Sequence, residues 1–110
     1  MTKVTFYQNS DNRCIGFEVW DHAEFAEQGS DIVCAAISAL VINTVNSIET
    51  FTEDAFILDT DEEQARIGFR LEGYPSKECT LLLNSLILGL QRIEDDEQNA
   101  DFIDIIFREV

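Results

Sequence analysis

The spacing of the apolar side chains constrains this fold more than any other feature. Its period is two along residues 3–8 and 13–20, helical from Asp31, and two again along residues 55–60 and 66–72. It turns helical after Ser76 and ends as two over residues 101–108. Alternation divides side chains between the faces of a strand, whereas i, i+4 rows gather them on one face of a helix. The turn formers Asn9, Ser10, Asp11 and Asn12 part the first two runs and predict a β-hairpin, with Ile15, Phe17 and Val19 on one face. Asp61, Glu62 and Glu63 part the second pair, with Ile67, Phe69 and Leu71 expected inward and Arg66, Gly68 and Arg70 outward.

Two rows, Ile32, Ala36, Leu40 and Val33, Ile37, Val41, make the first helix apolar on most sides. That predicts a central core helix running to about residues 47–50. Ser76 is the expected cap of the second helix, and Leu82, Leu86, Leu90 and Ile93 its buried stripe. The acidic residues 94–97 oppose the dipole at its end, where fraying is expected. The order β-β-α-β-β-α-β predicts an α+β fold, a largely antiparallel sheet in two layers with two helices.

A chain of 110 residues suits a single domain, residues 1–110. At 45% hydrophobic residues, with one proline and five glycines, it is globular in composition. It opens without a basic stretch followed by an apolar one, so no signal peptide is expected. The longest apolar stretch, residues 32–42, falls short of the roughly 20 residues a bilayer-spanning helix needs. Three cysteines are too few, and odd in number, for a disulfide framework. The expectation is a cytoplasmic protein with free thiols and no membrane association. One histidine and no CxxC pair predict no metal and no cofactor, and residues 59–63 and 94–97 lack the spacing of a calcium loop. The net charge is −15, from seven Lys and Arg against 22 Asp and Glu. Such a field opposes nucleic acid and draws basic partners.

The residues that can carry chemistry lie between the first hairpin and the first helix. His22 is the only histidine, and Cys34 follows it by twelve residues in the first turns of the helix. With Ser30 or Asp31 as cap, Cys34 falls at the third or fourth helical position. Unpaired backbone N–H groups and the dipole favour a thiolate there. His22 is then available as base toward Cys34 and as acid toward a leaving amine. Two plainer roles remain open, a packed cysteine in an apolar helix and an exposed loop histidine. Asp31 can cap the helix, meet the dipole, or orient His22 as a third group. Cys79 also sits near a helix start, after Ser76, but has no histidine near it in sequence, and Cys14 begins a strand. The functions that compete are a cysteine endopeptidase, a non-enzymatic adaptor module binding a basic protein, and a thiol redox sensor.

The segment His22-Ala23, then Gly29-Ser30-Asp31-Ile32-Val33-Cys34-Ala35-Ala36-Ile37-Ser38, resembles the ribosomal-processing cysteine proteases of Gram-positive and related bacteria. Their signature is Gly-His-Ala, a short loop and Asp-Ile-Val-Cys-Ala. The second helix, through residues 81–83 and 90–94, is similar as well, so the resemblance covers nearly the whole chain. It implies a two-layer α+β homodimer. It also implies removal of an N-terminal extension, after an aromatic residue, from large-subunit ribosomal protein twenty-seven, the alternative being a non-enzymatic ribosome-assembly or adaptor module that binds a basic ribosomal protein. The nucleophile falls on Cys34 and the base on His22. The loop between them is expected to order around substrate, with Gly29 as a hinge and Phe25 as a candidate for the aromatic pocket. One departure is Asp21, which stands where the family has glycine.

Overall fold

The computed structural model describes residues 1–21 and 30–110. In chain order the elements are β1 (Thr2–Gln8), β2 (Cys14–Asp21), α1 (Ser30–Phe51), β3 (Phe56–Asp61), β4 (Arg66–Leu71), α2 (Lys77–Asp95) and β5 (Ile103–Glu109). A single 3-10 turn, Ala100–Phe102, leads into β5. The strands form one sheet in the order β3-β4-β2-β1-β5. Both hairpins and the β2–β4 pair are antiparallel, and β5 lies parallel to β1. The parallel pair exists because α2 carries the chain back across the sheet before β5 begins. The expected α+β order therefore stands.

A row of aromatic rings crosses the sheet. Phe107, Phe6, Phe17 and Phe69 are register partners on β5, β1, β2 and β4. Their centroids are 5.6, 6.1 and 5.0 Å apart in that order. Such cross-strand pairs fix register, since a slip of one residue would turn every ring to the other face. Against this row pack Val33, Ile37, Val41, Val45 and Ile48 of α1 and Leu83, Leu86 and Leu90 of α2.

Two expectations need correction. Ile15 does not share a face with Phe17 and Val19. Tyr7 pairs with Gly16 and Gln8 with Cys14, so Ile15 is the extra residue of a β-bulge. The bulge shifts the alternation, so Cys14 is buried and Ile15 only partly so. Gly68 faces outward as expected, and the Arg66 guanidinium covers it. The stripe of α2 is Cys79, Leu83, Leu86 and Leu90, with Leu82 and Ile93 at its margins.

The first helix also differs from its expected central place. Asp31–Phe51 averages 1.6 in hydropathy and is long and apolar enough, by length and composition, to cross a bilayer. In the fold it buries one face on the sheet, and Ile32 and Ile42 lie exposed on the other side. Among the described residues, nothing covers that second face.

Local polar contacts fix the connections. Asn9 Oδ1 accepts the N–H groups of Asp11 and Arg13 in the first hairpin turn. Ser76 caps α2 as expected, its hydroxyl accepting the Cys79 N–H at 3.0 Å. Asp54 in turn accepts the Ser76 N–H at 2.7 Å. At the other end of α2, the Asp96 N–H returns to the Ile93 carbonyl, and the Glu94 carboxylate accepts the Ile105 N–H. The acidic run thus ties the helix end to β5, where fraying was expected.

Candidate active site

Cys34 lies where the start of α1 crosses the end of β2 and the start of β1. Val33 and Ile37 are buried on either side of it in sequence, which orients this turn of the helix. The thiol itself is only partly buried. Its Sγ donates to Asp21 Oδ2 at 3.0 Å. The Ser38 and Thr2 hydroxyls bear on the same sulfur. Ser38 is one helical turn further along α1, and Thr2 is the register partner of Asp21. Asp21 is anchored through its backbone, donating to the Ala65 carbonyl at 3.1 Å. Ala65 closes the β3–β4 turn with φ of 49°.

These surroundings oppose the expected activated thiol. Burial first, and then the hydrogen bond and the negative charge of Asp21, push the Cys34 thiol above its ordinary range. Ser38 and Thr2 pull in the opposite direction without prevailing. The helix start does not compensate, because α1 begins at Ser30 and Cys34 is its fifth residue. At that position the backbone N–H is within the helical ladder rather than unpaired. Asp31 lies inside the first turn rather than at the cap, and its Oδ1 accepts the Ile32 N–H at 3.0 Å. It still meets the positive end of the dipole. His22, Phe25 and Gly29 lie outside the described residues.

The other cysteines are packing groups. Cys14 is 1% and Cys79 0% exposed. Burial pushes their thiols to about 11 and about 12. Cys34 alone of the three is not fully buried. On the opposite face of the sheet from the helices, Arg66 stands over Trp20 and pairs with Glu18 and Asp59. A groove of about 470 Å³ opens beside it, lined by Tyr7, Ile57, Arg70 and Val110 among others. Neither Cys34 nor Asp21 lines that groove.

Sequence reasoning found Cys34 from its motif but missed its neighbours. Ser38 was legible in principle, four residues on from Cys34 on one helix face. Thr2 and Asp21 come from two strands whose register no local pattern reveals.

Known proteins share this fold. The family described as cysteine protease Prp matches residues 1–103. The ribosomal processing cysteine protease Prp of Bacillus subtilis is 31% identical over 100 residues, covering 87% of this chain and 89% of its own. Its Staphylococcus aureus counterpart is 28% identical over 96 residues, covering 87% of this chain and 91% of that one. A crystal structure of the essential S. aureus ribosomal processing protease Prp with a substrate peptide superposes with a TM-score of 0.90 at 25% identity. It covers 98% of this chain and all of the other. A second structure of that protease, with a covalently linked product peptide, gives 0.85 at 27% identity and covers 98% of this chain and 100% of that one. This chain belongs to the cysteine protease Prp family, and it is a cysteine protease.

Proposed function

We propose that this protease removes the N-terminal extension of large-subunit ribosomal protein twenty-seven, cutting after an aromatic residue, in the cytoplasm. Cys34 is the nucleophile and His22 its general base and acid. The family match across residues 1–103, a span that includes both groups, carries this proposal. Relatives named for ribosomal processing support the substrate class. So does the net charge of −15, which suits a basic ribosomal protein.

In the proposed reaction the His22 imidazole takes the Sγ proton. The Cys34 thiolate then adds to the carbonyl carbon after the aromatic residue. First-turn N–H groups of α1 supply donors for the oxyanion. Collapse of the adduct breaks the peptide bond, and His22 passes its proton to the leaving amine. Water, deprotonated by His22, displaces the acyl group and restores the thiol.

The enzyme acts as a homodimer. Ile32 and Ile42 on α1, and Leu81 and Leu88 on α2, are apolar and exposed on the monomer, which suits a second copy.

Purified variants test the site. Cys34→Ala and His22→Ala each abolish cleavage of the precursor while keeping the cooperative thermal transition of the wild type. Cleavage retained by either folded variant overturns that residue's role.

A further inference from the structure

The contact between Asp21 and Cys34 points to a residue that governs the nucleophile. Asp21 and Cys34 both sit on regular elements, so their contact does not depend on a loop. The strand end is held by the Asp21 N–H on the Ala65 carbonyl and by pairing with Thr2. The helix turn is held by Val33 and Ile37 in the core. Between them the thiol hydrogen bond spans 3.0 Å.

A carboxylate in that position accepts a hydrogen bond only while the sulfur keeps its proton. Once the proton leaves, two anions face each other at the same distance in a partly buried site, where charge is weakly screened. A glycine at position 21 could do neither.

We propose that Asp21 is a positioning residue that holds Cys34 as a hydrogen-bonded thiol in the substrate-free enzyme. The proposal rests on Cys34 being the nucleophile, and it assigns to Asp21 a restraint on that nucleophile.

Among the described residues, the groups that bear on the Cys34 sulfur are Asp21 from β2, Thr2 from β1 and Ser38 from α1. Asp21 is the charged one, and it acts in the direction the proposal needs. The two hydroxyls favour the thiolate but stay in place when Asp21 is changed.

The test is the pH dependence of alkylation by iodoacetamide, with labelled sites identified by peptide mapping. The thiolate attacks the methylene carbon and iodide leaves, so the rate follows the deprotonated fraction. Wild-type Cys34 is expected to titrate above a free cysteine derivative in the same buffer. Asp21→Asn removes the charge and keeps a polar group of the same size. Asp21→Gly removes both. Each moves the Cys34 profile to lower pH and speeds labelling at neutral pH about threefold or more, since one pKa unit corresponds to about tenfold. The ultraviolet absorbance of the thiolate, free of reagent access, shifts in the same direction.

A wild-type midpoint below that of the free thiol overturns the proposal. So do profiles for folded Asn and Gly variants that coincide with the wild type or move to higher pH. Alkylation needs neither substrate nor turnover. A Cys34→Ala enzyme that still cleaves would remove the nucleophile assignment and leave the alkylation result standing, so the two failures are distinguishable.

Discussion

At the scale of single residues, the chemistry of Cys34 is set by partners far from it in sequence. The motif around it was legible, because small and apolar neighbours at a helix start are a local signal. The contact with Asp21 was not, because it bridges a strand end and a helix separated by thirteen residues. The expected cap at Asp31 failed for a related reason. Several polar residues stood together before the apolar run, and only the backbone shows that the helix begins with Ser30. Thr80 offers a test at this scale. Its Oγ1 is buried and has no hydrogen-bond partner among the described residues. Replacing an unsatisfied hydroxyl by a methyl of similar shape removes a desolvation cost. Thr80→Val is expected to raise the unfolding free energy by about 1 kcal/mol in urea titration. A clear loss of stability would show that the hydroxyl has a partner in solution.

At the scale of elements, periodicity revealed every strand and both helices but not how their faces are used. The alternation in β2 was read through a bulge, and a bulge leaves no mark on the pattern except an apolar residue on either side of it. The period of α1 showed where it is apolar but not that the sheet covers one side alone. Two glycines separate these effects. A Cβ on Gly16 would lie 2.5 Å from the Phe69 carbonyl oxygen, a backbone atom that cannot move without disturbing the β2–β4 pair. A Cβ on Gly68 would lie 2.8 Å from Arg66 Nη2, the end of a long, flexible side chain that pairs with Glu18. Gly16→Ala is therefore expected to cost about 1–3 kcal/mol, as overpacking does. Gly68→Ala is expected to cost less than Gly16→Ala, because the Arg66 side chain can shift at the expense of its pairs with Glu18 and Asp59. Equal melting temperatures for the two variants would contradict this placement of β2 against β4.

At the scale of the whole molecule, composition alone predicts a basic partner, and the fold leaves at the surface the charge that would draw one. Phe6, Phe17 and Phe69 of the aromatic row and the buried faces of the two helices make the core, which leaves the charge of −15 to the surface. Substrate capture should depend on that field. At substrate concentrations below saturation, the cleavage rate is expected to fall as salt is raised from low to physiological strength, because screening shortens the reach of the charges. The rate at saturating substrate is expected to change little. A salt-independent kcat/KM would show that the field plays no part in encounter.

The most direct test of the account is an intact-mass spectrum of ribosomal protein twenty-seven, bearing its full N-terminus, after incubation with the wild-type protein or with Cys34→Ala. The expected result is loss of one N-terminal peptide, ending in an aromatic residue, with the wild type and an unchanged mass with the variant. An intact precursor in both samples, or the same loss in both, would contradict the account.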